Sequence, residues 1–160
     1  MQLKRYGGLH KHWRLIAVAR ISFMTFGILM FSLLPTTATS NGSQVIGYVT
    51  HVRDVDTIEV GNVAIRLNGL DGPELSTNIG QQAKRFMMEL VLNQQVTCEL
   101  TGERSYDRQI GVCFLNGEDI GAIAVSNGYA LDCRRYSGGR YAHLEVVSAV
   151  FAITRAGYCE

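Results

Sequence analysis

The chain has 160 residues, of which 47% are hydrophobic and 18% are charged, and it contains only two prolines. This composition excludes a disordered chain, a collagen and a coiled coil, and the length is that of one domain. The net charge of +1 conceals an uneven distribution, because residues 41–160 hold 10 Lys and Arg against 14 Asp and Glu. A body with a net charge of −4 argues against a protein that coats nucleic acid through a broad basic surface.

Residues 1–40 have the pattern of a targeting segment. Five basic residues and no acidic ones lie before position 21, and an uncharged apolar run follows over 21–34, before Pro35 and a series of small residues. This run is shorter than the roughly 20 residues that cross a bilayer, so a cleaved signal is favoured over an uncleaved anchor, which would bury Arg20. We expect a domain over 41–160 that is exported, periplasmic or secreted, and membrane-anchored only if the signal is retained.

The body of the chain begins with strands. Alternating apolar and polar residues predict three consecutive strands, at 45–53, 57–60 and 63–70, with Gly61-Asn62 as the hairpin turn between the last two. After a helical stretch, two further strands are predicted at 96–100 and 111–115.

Helical periods appear in three places. The first helix is predicted at 80–93, and the second begins at Asp119 and runs through Val125. A last helix, ended by Gly157, carries an apolar stripe of Leu144, Val147, Val150 and Phe151. Five strands and three helices predict an α+β fold that is mainly β, a small five-stranded barrel with the helices packed outside it.

Two acidic turns come together in this arrangement. Asp56 lies in the turn after the first strand and Asp71 follows the third, so a three-stranded meander brings both to the same end of the sheet. Pro73 stiffens the loop that carries Glu74. Each turn alone is an ordinary place for aspartate. Together they predict a carboxylate cluster that favours Ca²⁺ or Mg²⁺ over zinc.

Two arginines belong to the same region. Arg66 alternates with Ile65 and Leu67 on the third strand, and an arginine directed into a small barrel needs a carboxylate or a phosphate as its partner. Arg108 lies in the turn before the fifth strand. A structural ion pair explains either arginine alone. Two guanidinium groups beside a cation held by carboxylates, however, are the groups that phosphodiester cleavage requires.

In order and spacing, these segments resemble the staphylococcal nuclease (thermonuclease) family. The matching motifs are DVDT (54–57), IRLNGLDGPE (65–74), GQQAK (80–84), YDR (106–108), GED (117–119) and NGYAL with RRYS (127–137). The resemblance implies an OB-fold barrel with three helices. It also implies a calcium-dependent endonuclease that hydrolyses DNA and RNA with little sequence specificity.

The resemblance assigns a role to each polar group of the site. Asp56, Asp71 and the backbone carbonyl of Gly72 match the calcium ligands, and Arg66 and Arg108 match the arginines that bind the scissile phosphate.

Three more residues take their roles from the same family. Glu74 matches the proposed general base, and Tyr106 and Tyr136 match tyrosines placed against the nucleotide. Because no side chain is a credible covalent nucleophile, we expect direct attack by water. We expect His51 and His143 to be surface or packing residues.

The chain departs from the family pattern at four places. Val55 replaces the usual glycine, and Gly72 replaces the usual threonine but keeps its carbonyl. Asp107 puts a carboxylate beside Arg108, which we expect to weaken the grip of that arginine on phosphate. Tyr158-Cys159 replaces a closing tryptophan. None of these changes removes a catalytic group.

Four cysteines lie in the exported body, where disulfides persist, and they allow three pairings. Cys98 and Cys113 face each other in the predicted hairpin, but the usual spacing of such pairs favours two packed thiols over a disulfide. Cys159 stands where the family has its tryptophan, near the segment of Cys133. The resemblance therefore implies a Cys133–Cys159 disulfide.

A non-catalytic module is the competing hypothesis, because OB folds also bind oligonucleotides, or serve as surface domains, without cutting nucleic acid. Such a module would be free to lose the carboxylates and the arginines, yet all of them are present. The sequence implies DNA and RNA as substrates and no protein partner. It implies membrane contact only if the N-terminal segment is not cleaved.

Overall fold

The structure is a computed structural model that describes residues 43–160. The predicted targeting segment, 1–40, lies outside these residues. The strands are β1 (Gln44–Asp54), β2 (Thr57–Val60), β3 (Val63–Leu67), β4 (Leu70–Asp71), β5 (Gln95–Ser105), β6 (Arg108–Leu115), β7 (Glu118–Asp119) and β8 (Leu131–Asp132). The helices are α1 (Asn78–Val91), α2 (Ile120–Ser126), α3 (Arg134–Ser137) and α4 (Val147–Ala152), with 3-10 turns at Ala142–Leu144 and Gly157–Cys159.

Six strands form a sheet that closes on itself. Their order is β3-β2-β1-β5-β6-β7, and a further parallel pairing of β3 with β6 closes the sheet. β1 is long enough to pair with β5 through its first half and with β2 through its second. The core is filled by buried apolar residues that include Val49, Val52, Ile58, Ile65 and Leu67. The prediction of a mainly β, α+β fold is confirmed.

Helix α1 packs one face on this sheet. Ala83, Met87 and Val91 are buried at helical spacing, as the sequence pattern predicts. The helix begins two residues before the predicted start, because the Thr77 side chain accepts a hydrogen bond from the Gly80 N–H and so caps the first turn. None of the helices in the described part of the chain has the length and hydrophobicity needed to span a bilayer.

The third strand is shorter than predicted. β3 ends at Leu67, and the chain turns at Gly69, whose φ is +80°. A side chain at Gly69 would collide with Ser137, whose Cα lies 2.7 Å from the position of a Cβ. This close contact lets β4 pair with β8, and Cys133 donates its N–H to the Gly69 carbonyl.

The prediction for the last helix is wrong in its length and in its buried face. α4 covers only Val147–Ala152, and Val147 and Phe151 are 72% and 86% exposed, whereas Ala149 and Ile153 are buried. Leu144 lies in the preceding 3-10 turn. The backbone becomes extended at Ile153, and the residues beyond it bond elsewhere in the fold, Arg155 to Glu145 and the Ala156 N–H to Asp71.

All four cysteines are in disulfides in the structure. Cys98 and Cys113 lie directly opposite each other on β5 and β6, with Cα atoms 4.0 Å apart, and they are bonded. Our expectation of two packed thiols at this pair differs from the structure, because the strands approach more closely than an average cross-strand pair. The structure also joins Cys133 to Cys159, whose Cα atoms are 4.4 Å apart.

Peptide mapping of the non-reduced protein checks this pairing. We expect two cross-linked fragments, Cys98–Cys113 and Cys133–Cys159, because each pair already has its Cα atoms close together in the fold. Reduction should separate both fragments. A free thiol at Cys159, or a link between Cys98 and Cys133, would contradict the pairing.

Candidate active site

Two adjoining cavities lie on one side of the barrel. The first, here called the carboxylate cavity, has a volume of about 480 Å³ and is lined by Asp54, Asp56, Asp71, Gly72, Glu74 and Arg155 among others. The second, the tyrosine cavity, has a volume of about 460 Å³ and is lined by Ser105, Tyr106, Arg108 and Tyr136 among others. Arg66 and Tyr158 line both cavities and form the boundary between them.

The meander brings the predicted carboxylates together. Asp56 lies in the β1–β2 turn and Asp71 in β4, and both are buried against the same cavity. Asp56 Oδ1 accepts hydrogen bonds from Thr57 Oγ1 at 2.8 Å and from Arg66 Nη1 at 2.7 Å. Asp71 Oδ2 accepts one from the Ala156 N–H at 2.9 Å. Asp56 Oδ2 and Asp71 Oδ1 accept none from residues 43–160.

Asp54 adds a third carboxylate to which the sequence analysis gave no role. Its Oδ1 accepts the Asp56 N–H at 3.1 Å and so shapes the turn. Burial, reinforced by the negative charge of Asp56, raises the pKa of Asp54 to about 6. Burial also raises the pKa of Asp71, although the Ala156 N–H and the Arg155 charge oppose that shift. The cavity therefore holds more negative charge than its arginines neutralise.

This donor set fits a hard cation. Two buried carboxylates with free oxygens and nearby backbone carbonyls are the kinds of group that Ca²⁺ accepts as ligands. In the stretch 43–160, no group of three or more His, Cys, Asp or Glu side chains is arranged as a complete metal cage. A cation bound by Asp56 and Asp71 would therefore take its other ligands from backbone carbonyls, including that of Gly72, and from water.

Two departures from the family pattern compensate each other. A Cβ built at Gly72 would collide with Cγ1 of Val55 and lie 3.6 Å from Asp56 Oδ2. Val55 therefore occupies the space that a larger residue at position 72 would need. The absence of a side chain at Gly72 also keeps the approach to the free Asp56 oxygen open.

Thr57 connects the two predicted phosphate-binding arginines. Its hydroxyl donates to Asp56 Oδ1 and accepts from Arg108 Nη1 at 3.0 Å, while Arg66 bonds the same Asp56 oxygen. Thr57 is fully buried, so this network has a fixed geometry. Sequence reasoning gave Thr57 no role, although the DVDT motif contains it.

Arg108 keeps its positive charge available. Its Nη2 donates to Ser105 Oγ at 3.2 Å, and it forms no ion pair with a carboxylate anywhere in the described residues 43–160. Asp107 points elsewhere, because its Oδ2 pairs with Arg53 Nη1 at 2.8 Å, which lowers the pKa of Asp107. The structure therefore does not support the expectation that Asp107 weakens the grip of Arg108 on phosphate.

Glu74 lies at the rim of the carboxylate cavity on a rigid loop. Its backbone carbonyl accepts the Thr77 N–H at 3.0 Å and the Thr77 hydroxyl at 2.7 Å, which ties the loop to the start of α1. Gly80 is required for this packing, since a Cβ there would collide with the Glu74 carbonyl. The Glu74 carboxylate is exposed and accepts no hydrogen bond from residues 43–160, so it is free to interact with water.

Three tyrosines surround the other cavity. Tyr106 stands at the tip of the β5–β6 turn with a φ of 58°, and its side chain is 93% exposed. Tyr136 on α3 is 50% exposed. Tyr158 comes from the C-terminal segment and packs edge-on against Tyr136, with ring centroids 6.5 Å apart. The sequence predicted roles for the first two and none for Tyr158.

A family model described as staphylococcal nuclease homologue matches residues 64–150, just over half of the chain. Among curated proteins, the succinoglycan biosynthesis protein ExoI of Rhizobium meliloti is 29% identical over 76% of this chain and 69% of its own length. An uncharacterized endonuclease of Haemophilus influenzae is 30% identical over 56% of this chain and 53% of its own length. An uncharacterized 38.1 kDa protein of Capnoides sempervirens is 35% identical over 41% of this chain and 20% of its own length. The chain thus spans about half, or less, of two of these relatives.

The contact between Val55 and Gly72 generates a prediction about stability. We expect Gly72→Ala to destabilise the fold by roughly 1–3 kcal/mol, because the added methyl group collides with Val55 in a packed site. In a Val55→Ala background the same substitution should cost much less. Thermal and urea unfolding of the two single variants and the double variant measure this coupling. Additive losses would show that the two positions do not compensate.

Proposed function

The chain belongs to the staphylococcal nuclease family, and from that premise we propose that it is an exported, calcium-dependent endonuclease that hydrolyses phosphodiester bonds in DNA and RNA. The family and the relative named as an endonuclease support a nuclease-like function on nucleic acid. The observation that carries the proposal is the network in which Arg66, Asp56, Thr57 and Arg108 are bonded in series where the two cavities adjoin.

The two arginines supply what phosphodiester hydrolysis most needs. The anionic oxygens of the phosphate repel a nucleophile, and the transition state gathers further charge on them. Guanidinium groups fixed beside that charge stabilise it without reorganising during the reaction. Arg108 is well suited to this role because it has no carboxylate partner within residues 43–160, and Arg66 is held in place by Asp56.

Glu74 is the residue best placed to act on the attacking water. Its carboxylate is exposed on the same cavity as the buried aspartates, and the Thr77 contacts hold its loop still. We assign it the task of orienting that water and taking its proton. His51 and His143 line neither cavity, so neither is assigned a part in this chemistry.

Calcium completes the proposed site. Asp56, Asp71 and the Gly72 carbonyl would hold the ion, which would supply positive charge that stabilises the phosphate oxygens. The free carboxylate oxygens and the open approach at Gly72 are the features of this chain that support a cation here.

The tyrosine cavity supports binding of nucleic acid with little base-sequence specificity. Tyr106 and Tyr136 present ring faces on which any base can stack, and stacking does not distinguish bases through their edges. Bases in single strands or in breathing regions of a duplex are accessible to such rings. We therefore propose DNA and RNA as substrates, with a preference for unpaired segments.

Export is part of the proposal. The basic and apolar pattern of residues 1–40 supports a signal peptide, or an anchor if it is not cleaved. The two disulfides in the described part of the chain support an oxidising destination, either the periplasm or the exterior.

Substitutions test the assigned roles through digestion of plasmid and RNA in calcium. We expect Arg66→Ala, Arg108→Ala and Glu74→Gln each to lower the cleavage rate on the order of 10² or more, because each removes a contact that the transition state uses. Three controls should stay near the wild-type rate: His51→Ala, Asp107→Ala and, as a matched arginine outside both cavities, Arg85→Ala.

The pattern across these variants decides the outcome. A protein that binds a labelled oligonucleotide but cuts neither substrate would be a non-catalytic module, contrary to the proposal. If Arg108→Ala leaves the cleavage rate unchanged while Asp107→Ala lowers it, the assignment of Arg108 as a phosphate-binding residue is wrong.

A further inference from the structure

The last six residues form a strap that closes one side of both cavities. This C-terminal strap, Arg155–Glu160, is attached at three points. Arg155 donates to Glu145 Oε1 at 2.7 Å and to the Asp132 carbonyl. Ala156 donates its N–H to Asp71, and Cys159 is bonded to Cys133. The strap is therefore a fixed wall of the site.

Two neighbouring residues of the strap differ in burial. Cys159 is 1% exposed, whereas the neighbouring Tyr158 is 53% exposed and borders both cavities. A 3-10 turn, with Cys159 donating its N–H to the Ala156 carbonyl at 2.8 Å, fixes the direction in which the Tyr158 ring leaves the backbone. The ring of Tyr158 is therefore half-exposed on a backbone that is attached at three points.

Two rings from separate segments meet beside the arginines. Tyr158 and Tyr136 are T-shaped, with centroids 6.5 Å apart and an angle of 63° between their planes. The tyrosine cavity that they line also contains Arg66 and Arg108. A nucleotide whose phosphate meets these arginines would bring its base to these rings, and a base gains substantial affinity from an aromatic face.

The charges of the two cavities favour this orientation. The carboxylate cavity has four acidic residues against two arginines, Arg66 and Arg155, so it repels the strand backbone unless a cation intervenes; the acidic residues are Asp54, Asp56, Asp71 and Glu74. The tyrosine cavity is lined by Arg66, Arg104 and Arg108 with Glu103 as its single acidic residue among those that line it. A strand of nucleic acid is therefore accepted on the side of Tyr158 that borders the tyrosine cavity.

We propose that Tyr158 is a nucleobase-stacking residue of this site, paired with Tyr136, and that the Cys133–Cys159 disulfide positions it. The inference rests on the proposed function, since it names a further contact with the same substrate. It assigns the strap a part in substrate binding that the motifs shared with the family do not include.

Binding without cleavage tests the stacking role. The full-length protein is titrated in chelator against two fluorescent probes by anisotropy: a short single strand of thymidines, and a strand of the same length with abasic residues at its centre. We expect Tyr158→Ala to bind the thymidine strand about tenfold more weakly and the abasic strand unchanged. Tyr158→Phe should bind both as the wild type does. Tyr48→Ala, which removes an exposed tyrosine outside both cavities, should also leave both unchanged.

The positioning role has its own test. We expect a variant with Cys133→Ser and Cys159→Ser to show a similar loss for the thymidine strand, and Tyr158→Ala to add little in that background. Circular dichroism verifies that the variant is folded. If it is not folded, the single Tyr158 variants, which change only a partly exposed ring, still decide the stacking role.

Each result has one meaning. Equal binding of the thymidine strand by wild type and Tyr158→Ala, equal losses on both probes, or no binding by the wild type would overturn the stacking role. Full additivity of the cysteine and tyrosine losses would overturn the positioning role. If thymidine binding depends on Tyr158 but calcium supports no cleavage, the stacking proposal stands and the proposed nuclease function fails.

Discussion

The ion pair between Arg66 and Asp56 is the interaction on which the rest of the site depends. A guanidinium group on a strand of a small barrel is costly to desolvate unless a carboxylate meets it, and Asp56 Oδ1 does so at 2.7 Å. Thr57 extends the contact to Arg108. The same pairing uses only one oxygen of Asp56, so the other remains for a cation. One partly buried contact therefore orients both the proposed phosphate-binding groups and the proposed cation-binding groups.

Closure of the barrel determines where these groups can meet. β3 pairs with β2 on one side, where Arg66 lies opposite Thr57. On its other side β3 pairs in parallel with β6, where Arg66 lies opposite Ile110. This places Arg66 near the start of β6, where Arg108 lies. The strap then returns across the same end of the barrel, and the Ala156 N–H bonds Asp71 across 85 positions of sequence. The Cys133–Cys159 disulfide and the hydrogen bond from Ala156 to Asp71 hold these distant segments together.

Local patterns were enough to predict the sheet and the position of two of the predicted site carboxylates. Alternating residues predicted the meander, and the meander brought Asp56 and Asp71 to one cavity. The parts that sequence reasoning missed are those decided by distant contacts. The partner of Asp107 is Arg53, 54 positions away, and the buried face of α4 is the one on which Ala149 packs in a cluster with Leu131. Neither contact leaves a periodic signal in the chain.

Dependence of cleavage on calcium is the most direct test of the proposed nuclease activity. Digestion of plasmid and RNA is measured for the wild type in Ca²⁺, in Mg²⁺ and in excess chelator, with Asp56→Asn as the matched variant. Because the proposed ligands are carboxylates and a backbone carbonyl, we expect rapid cutting in Ca²⁺, poor cutting in Mg²⁺ and none in chelator. Asp56→Asn should require a higher Ca²⁺ concentration to reach half its maximal rate. Unchanged cleavage in excess chelator would contradict the proposed calcium-dependent hydrolysis.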